Sequence, residues 1–209
     1  MAPVVPETAN RLFQIIDSKI QQGCKVIHLL ISSQGGSVFH GLSLYNYLKG
    51  IPVEIRTYNF GSADSIGVVL YCAGSKRYSV PHARFLMHGV KYNFQGQMSL
   101  DEKQLEENLK SLKIDQYNIS KVIADTIKTK STEQVEVDMN LRTTLNPEEA
   151  IIYGLVHEIK SELIPANADL SIISEPIQQN IQPIPGMFRA ETLITSYSFS
   201  RHIDHNILI

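Results

Sequence analysis

Around residue 65 the chain reads Gly61-Ser62-Ala63-Asp64-Ser65-Ile66-Gly67 and continues into the apolar run Val68-Val69-Leu70-Tyr71-Cys72-Ala73-Gly74. The flanking glycines permit a tight backbone and the close approach of a neighbouring segment. Because the apolar run begins β-branched and then gains helix formers, we place Ser65 at the start of a helix. There its hydroxyl and the next backbone N–H face an incoming carbonyl. A helix cap is the alternative interpretation, since serine is a preferred N-cap residue.

Upstream of this segment, the apolar strand pattern Leu29-Leu30-Ile31 ends in Ser32-Ser33-Gln34-Gly35-Gly36-Ser37-Val38. A pair of glycines just past a strand lets backbone N–H groups point outward, as an oxyanion hole requires. A plain strand-to-helix turn and a phosphate cradle are the alternatives. The phosphate cradle is disfavoured, because the segment lacks both the fuller glycine fingerprint and the lysine of a P-loop.

Downstream, the segment Ser79-Val80-Pro81-His82-Ala83-Arg84-Phe85-Leu86-Met87-His88-Gly89 places a histidine at the end of another apolar strand. A lone histidine in such a position is usually a structural residue. Beside a glycine pair and an exposed serine, however, His88 becomes a candidate general base.

The order of these motifs resembles the proteolytic subunit of the Clp protease. A Gly-Gly pair is followed by Gly-x-x-x-Ser, by Ala-Gly and by Pro-His-x-Arg-x-x-x-His, and the likeness continues through Asn146-Pro147-Glu148-Glu149-Ala150-Ile151-Ile152-Tyr153-Gly154-Leu155-Val156. The resemblance covers roughly residues 7 to 160. It implies an α/β chain of the ClpP/crotonase fold, with repeated β-β-α and βαβ units, a mostly parallel sheet and a projecting handle helix. We therefore expect a peptidase domain over residues 1–160.

The resemblance also implies a function, a serine endopeptidase that cleaves peptides or unfolded proteins through an acyl-enzyme. Carried over to this chain, it makes Ser65 the nucleophile and His88 the base, with the backbone N–H groups of Gly36 and Ile66 as the oxyanion hole. It further implies a homo-oligomeric ring, a heptamer or a double ring, and it makes an AAA+ unfoldase a candidate partner. It calls for no cofactor and no metal.

One position departs from the family's pattern. The aspartate that completes the family's triad falls on Arg142, counting back from Glu149-Ala150. A guanidinium carries donors only, so it does not accept the histidine N–H. Removing the acid from a triad slows the chemistry by orders of magnitude. Three nearby side chains remain as alternative partners for the histidine: Asp138, Asn140 and Thr143.

Three other functions stay open at this point. A catalytically impaired ring or scaffold subunit is motivated by Arg142. An acyl-CoA enzyme of the crotonase type uses a similar glycine-built oxyanion hole, but it does not need a serine–histidine pair. A peptidase with a serine–lysine dyad normally carries a membrane anchor, and we interpret Lys76 and Lys91 as surface residues.

The composition of the chain limits these interpretations of its fold and function. The chain has 209 residues, 43% of them hydrophobic, and a net charge of −2, which suits one α/β domain with a sizeable core. This charge gives no electrostatic reason to expect nucleic acid or an anionic membrane as a partner. Cys24 and Cys72 lie in or beside apolar runs, as buried thiols in a reducing compartment would. With no run of 18 apolar residues and no charged-then-apolar leader, we expect the cytoplasm.

Apolar periodicity predicts alternating helices and strands, and hence a parallel sheet with crossover connections. Helices are predicted over residues 7–22, 38–48 and 132–139, and strands over residues 25–31 and 52–58. A further helix is predicted with Asn146 as its cap, Pro147 in its first turn and Gly154 at its end. The alternation of Val90, Tyr92 and Phe94 predicts a strand that lines the substrate cleft or forms a surface hairpin.

The longest helical pattern begins at the capping box Ser99-Leu100-Asp101-Glu102 and extends to about residue 127. A continuous helix of about 25 residues, at about 1.5 Å rise per residue, is longer than so small a domain covers easily. Because the helix resembles the family's handle, we expect it to form an oligomeric interface rather than to pack only on its own domain.

Residues 161–209 form a proline-rich C-terminal extension of unknown role. Prolines interrupt the segment repeatedly, and it lacks helical periodicity. We predict a strand over residues 192–199, and we expect Ile207-Leu208-Ile209 to dock on a neighbour. His202 and His205, with only Asp204 nearby, are interpreted as surface residues rather than metal ligands.

Overall fold

The computed structural model describes residues 2–93, 96, 99–164, 168–174 and 205–208. Its helices are α1 (Pro6–Gln21), α2 (Val38–Gly50), α3 (Ile66–Cys72), α4 (Glu102–Ile127), α5 (Thr132–Asn140) and α6 (Pro147–Tyr153). Its strands are β1 (Val26–Ser33), β2 (Glu54–Asp64), β3 (Lys76–Ser79), β4 (Arg84–Leu86), β5 (Thr144–Leu145), β6 (Glu158–Ile159), β7 (Asp169–Ile172) and β8 (His205–Leu208). The alternation of helices and strands is the α/β class that the sequence predicts.

Within the described ranges, these strands form one mostly parallel sheet. Its order is β5-β4-β2-β1-β8-β7, while β3 pairs with β2 and carries β6 on its other side. Every pairing is parallel except that of β4 with β5. The predicted parallel sheet with crossover helices is therefore confirmed.

The core lies on both faces of the central strand β1. All residues of β1 after Val26 are buried, as is typical of a parallel strand covered by helices on both sides. Helix α3 is buried along its whole length. Cys24 and Cys72 are both buried thiols, and burial raises the pKa of Cys72 to about 11. Both thiols are thus part of the packing.

The predicted starts of α1, α2, α3, α5 and α6 are confirmed to within one residue, and local chemistry fixes that of α6. The Asn146 side chain accepts from the Glu149 N–H at 2.8 Å, and the Glu149 carboxylate accepts from the Asn146 N–H at 2.9 Å. This is a reciprocal capping box ahead of Pro147. At the other end of α6, Gly154 takes a φ of 91°, the left-handed conformation expected of a helix-terminating glycine.

Strand β2 is longer than predicted and continues to Asp64. Its first half pairs with β3, whereas residues 62–64 pair with residues 84–86 of β4. Asn59 bridges the two paired regions of β2. Its side chain accepts from the Gly61 N–H at 3.1 Å and donates to the Arg84 carbonyl at 2.7 Å. The predicted strand ended at residue 58; small residues have little strand propensity, but pairing with a distant strand overrides that weak preference.

Helix α4 begins later than the sequence pattern indicates. The Asp101 carboxylate accepts from the Gln104 N–H at 2.8 Å, and the Gln104 side chain accepts from the Asp101 N–H at 3.0 Å. The predicted cap at Ser99 is therefore wrong by two residues, because Asp101 forms the reciprocal box with Gln104. The 26 residues of α4 span about 39 Å.

Only the C-terminal half of α4 packs on the domain. Its buried residues are Ile119, Ser120, Ile123, Ala124 and Ile127. The part of α4 before Ile119 exposes large apolar side chains to about half of their area: Leu105, Leu109, Ile114 and Tyr117. The predicted projecting helix is confirmed, and none of the helices in the described ranges has the length and apolarity needed to cross a membrane.

Two strands of the C-terminal region join the same sheet as the rest of the chain. β8 pairs in parallel with β1, and β7 pairs with the other side of β8. Ile207 is fully buried. The expectation that this segment docks on a neighbouring chain is corrected, because it pairs with the chain's own central strand. The strand predicted over residues 192–199, and the side chains of His202, Asp204 and His205, lie outside what the structure describes.

Candidate active site

Ser65 lies at the junction of β2 and α3 in a strained backbone conformation. Its φ is 57° and its ψ is −126°, which a residue with a side chain rarely adopts, at a cost of about 1–3 kcal/mol. The Ser65 N–H donates to the Leu86 carbonyl of β4 at 2.7 Å, and the Ser65 carbonyl accepts from the Val68 N–H at 3.0 Å. The hydroxyl makes no capping hydrogen bond, so the cap interpretation is wrong. A strand-to-helix turn of this kind exposes the serine Oγ above the sheet.

The glycine pair lies directly against this turn. Gly35 has a φ of 93°, and a Cβ added to it would lie 2.7 Å from Ser65 Cβ and 2.8 Å from the Asp64 carbonyl oxygen. Gly36 has a φ of 149°, and a Cβ there would clash with the Val4 carbonyl. Both positions therefore require glycine. At Gly35 a side chain would collide with the serine, and at Gly36 it would collide with the N-terminal segment.

The N-terminal segment holds the glycine pair in place. The Val4 N–H donates to the Gly35 carbonyl at 2.8 Å, and the Ser37 N–H donates to the Val4 carbonyl at 2.7 Å. These bonds use the Gly35 carbonyl and the Ser37 N–H, which flank the Gly36 N–H. The Gly36 N–H itself takes no part in them. Among the hydrogen bonds of the described residues, none is donated by the N–H of Gly36 or of Ile66. Both predicted oxyanion-hole donors thus remain available.

His88 and Ser65 line the same cleft. His88 Nδ1 lies 2.8 Å from the Gly89 carbonyl oxygen. Because a carbonyl only accepts, we assign the proton to Nδ1, and Nε2 is then the free base. Within the described part of the chain, no hydrogen bond joins the Ser65 hydroxyl to His88. Such catalytic bonds commonly tighten only when substrate is bound.

The cleft has a volume of about 230 Å³ and is apolar along much of its wall. Its apolar lining residues are Val38, Met87, Val90, Ile119, Ile123 and Met139. Lys91 also lines the cleft, with an exposed side chain. The shape and lining suit an extended peptide whose apolar side chain enters the pocket.

The strand predicted at Val90 and Tyr92 is not present, since residues 90–93 have no regular structure, and Phe94 lies outside the described residues. The Val90 N–H donates to the side chain of Gln116 at 2.8 Å. A side-chain amide from α4 therefore satisfies this backbone donor.

Arg142 precedes Thr143, the residue that faces Met87 where β4 and β5 meet. The antiparallel pairing of β4 with β5 continues through the Met87 N–H, which donates to the Thr143 carbonyl at 2.9 Å. His88 and Arg142 are the next residues of the two segments, and Arg142 belongs to a turn rather than to the strand pair. Arg142 has a φ of 59°, its side chain is exposed, and its guanidinium contacts no carboxylate among the described residues. The position that the sequence analysis assigned to the triad acid thus carries an exposed cation.

None of the three alternative partners bonds to His88. Asp138 Oδ2 accepts from Lys130 Nζ at 2.6 Å and from the Tyr153 hydroxyl at 2.6 Å. Burial, together with Asp138, raises the pKa of Tyr153, which keeps this hydroxyl a donor. The Thr143 hydroxyl donates to the Asp138 carbonyl at 2.8 Å. Asn140 Oδ1 accepts from Gln116 Nε2 at 3.2 Å.

The sequence analysis did not identify two further side chains of this region. Asp64, which precedes Ser65, is buried, and its Oδ2 accepts from Arg84 Nη2 at 2.6 Å. Gln116 lies 26 residues beyond Val90 in the middle of a helix, where no local motif marks it. In the described part of the chain, no cluster of three or more His, Cys, Asp or Glu residues suits a metal ion.

The fold is that of a ClpP-like protein. The structure of a mutant of ClpP1 from Listeria monocytogenes matches with a TM-score of 0.69 at 24% identity, over 77% of this chain and 88% of that one. The sequence model of the Clp protease family matches residues 2–162. The ATP-dependent Clp protease proteolytic subunit 2 of Thermobifida fusca is 32% identical over 156 residues, which is 73% of this chain and 74% of that protein. The chain belongs to the Clp protease family.

The contact between Gly35 and Ser65 predicts a large difference between two glycine substitutions. Gly35→Ala should lower the free energy of unfolding by roughly 2 kcal/mol or more, because its Cβ meets backbone and the residue has a positive φ. Gly50→Ala is the matched control, since a Cβ there has nothing within 4 Å. Urea denaturation measures both. Equal stability of the two variants would contradict the described packing of the turn.

Proposed function

We propose that this chain is a serine endopeptidase of the Clp type that acts through Ser65 and His88. The conformation of Ser65 supports this proposal most directly. Its φ of 57° is a cost that no capping bond of the hydroxyl offsets. Strain of this kind persists where a side chain has to be presented to a ligand. The availability of two backbone N–H groups beside the serine adds to the argument.

In the proposed reaction, His88 Nε2 takes the Ser65 hydroxyl proton as Oγ attacks a peptide carbonyl. The N–H groups of Gly36 and Ile66 stabilise the oxyanion. The imidazolium then protonates the leaving amine, and the C–N bond breaks to give an acyl-enzyme on Ser65. Water, deprotonated by His88, attacks the ester, and the collapse of the second tetrahedral intermediate releases the acid and restores the serine.

The Gly89 carbonyl takes the place of a carboxylate in this scheme. Replacing the triad aspartate of a serine protease by a neutral amide costs about 10⁴ in kcat, because the histidine adopts the wrong tautomer. A carbonyl avoids that penalty, since it accepts the Nδ1 proton at 2.8 Å. It lacks the negative charge that stabilises an imidazolium, so we expect a slow enzyme rather than an inactive one.

The family and the projecting helix support further parts of the proposal. Proteins of this family form oligomeric rings, and we propose that α4 contributes its exposed apolar side chains, such as Leu105 and Leu109, to a homo-oligomeric ring. Whether the ring is a heptamer or a double ring belongs to the same proposal. Peptides or unfolded proteins would be the substrates, in the cytoplasm, with an AAA+ unfoldase as the candidate partner.

A second candidate function is a catalytically impaired ring or scaffold subunit. The observation that favours it is Arg142, an exposed cation at the position expected for the triad acid. A positive charge near the imidazole opposes the imidazolium that forms during acylation.

A fluorophosphonate probe tests the catalytic pair. We expect the native chain to be labelled covalently, and we expect Ser65→Ala and His88→Ala to abolish labelling, because one removes the nucleophile and the other its base. Lys91→Ala should label normally. If Lys91→Ala and Ser65→Ala both lost labelling while His88→Ala kept it, the result would indicate a serine–lysine dyad. Intact-mass spectrometry is the readout. A folded, assembled native chain that never labels would contradict the peptidase proposal and favour the scaffold.

Introducing an acid at position 142, where the triad acid is expected, distinguishes a slow enzyme from an idle one. Arg142→Asp should raise kcat for a fluorogenic peptide about 10-fold, which corresponds to about 1.4 kcal/mol of added imidazolium stabilisation. Arg142→Ala, which removes only the cation, should give a smaller increase. If neither variant turns over peptide although both fold and assemble, the impaired-subunit function is favoured.

A further inference from the structure

We infer that Gln116 of α4 is a positioning residue for His88, an inference that rests on the proposed function. The orientation of the imidazole depends on the Gly89 carbonyl, which holds Nδ1 at 2.8 Å. That carbonyl lies on a segment without regular structure, so the segment needs its own restraint. Its restraint comes from outside the sheet.

Gln116 supplies this restraint through its side-chain oxygen. Gln116 Oε1 accepts the Val90 N–H at 2.8 Å, two residues beyond His88. Because a backbone N–H only donates, this bond fixes which end of the amide faces the segment. Gln116 Nε2 is thereby turned toward Asn140 Oδ1, to which it donates at 3.2 Å. One amide therefore ties the histidine segment to the end of α5.

The position of Gly89 shows how closely the two amides approach this segment. A Cβ on Gly89 would lie 3.2 Å from Asn140 Oδ1 and 3.6 Å from Gln116 Oε1. The Gly89 peptide is thus held from one side by the imidazole and from the other by the amide pair. A shift of this peptide moves the carbonyl that sets the histidine tautomer.

Gln116 is half-buried and lies one turn before the point where α4 enters the core at Ile119 and Ser120. The Ser120 hydroxyl donates to the Gln116 carbonyl at 2.9 Å, within the same turn. The amide is therefore carried by a fixed part of the helix rather than by its projecting end. Gln116 touches neither substrate nor Ser65 in this arrangement and acts through Gly89 and Val90.

Three variants test the inference. Gln116→Met keeps the length of the side chain and loses both amide bonds. Gln116→Glu keeps an acceptor for the Val90 N–H, and Asn140 can turn its amide to donate to the second carboxylate oxygen. Gln14→Met is the matched control, an exposed glutamine on α1 whose side chain makes no hydrogen bond among the described residues.

We expect Gln116→Met to lower kcat for a peptide substrate, and the rate of fluorophosphonate labelling, by up to about 100-fold with KM unchanged. Gln116→Glu should recover most of the rate, and Gln14→Met should match the native chain. Hydrogen exchange at the Val90 amide, followed by mass spectrometry, should become faster in Gln116→Met alone, while amides of the buried helix α3 exchange as before.

The two proposals fail in different ways. Labelling of the Gln116→Met variant at the native rate would overturn the positioning role, as would a slower rate with native exchange at Val90. A native chain that never labels would instead overturn the proposed function. Exchange at Val90 would still decide in that case whether Gln116 restrains the histidine segment, because it does not depend on activity.

Discussion

The backbone pairing of β2 with β4 determines the relation between the candidate nucleophile and its base. The Ser65 N–H donates to the Leu86 carbonyl at 2.7 Å, and His88 follows two residues later on the same strand direction. Both side chains therefore lie at the carboxyl ends of neighbouring parallel strands, where α/β folds usually place their sites. The pairing also holds Ser65 at a positive φ, since the Ser65 N–H donates to the Leu86 carbonyl at the residue before α3 begins. Asn59 makes this possible by bridging the change of partner from β3 to β4.

The electrostatics of the cleft differ from those of a complete triad. A neutral carbonyl accepts the Nδ1 proton of His88, and Arg142 occupies the position expected for the triad acid. The carboxylates of Asp64 and Asp138 pair elsewhere, Asp64 with Arg84 and Asp138 with Lys130. No carboxylate of the described residues hydrogen-bonds to His88. In the proposed mechanism the Gly89 carbonyl orients the histidine, and the negative charge that an aspartate would add is not supplied.

Much of the fold followed from local chemistry. The capping box at Asn146 begins α6 and the left-handed Gly154 ends it, as the sequence predicts, because these residues act on their own neighbours. Gly35 and Gly36 were identified as a turn past a strand, and their contacts with Ser65 and Val4 explain why glycine is needed. Residue type and local spacing were sufficient in each case.

The missed features depend on contacts between residues far apart in the chain. The extension of β2 requires β4, the Gln116 bond spans 26 residues, and β8 pairs with a strand nearly 180 residues earlier. The cap of α4 was misplaced for another reason: Ser99 and Asp101 both suit an N-cap, and only the geometry of Gln104 distinguishes them. Sequence spacing identified the candidate site residues, but not the amides that hold one of them in place.

The most direct test of the account is a crystal structure of the chain after reaction with a peptidyl phosphonate. We predict a covalent bond from phosphorus to Ser65 Oγ, with the phosphonyl oxygen about 2.7–3.1 Å from the N–H nitrogens of Gly36 and Ile66. His88 Nδ1 should remain on the Gly89 carbonyl. An intact Ser65, or an adduct whose oxygen faces away from both N–H groups, would contradict the claim that this turn is a catalytic site.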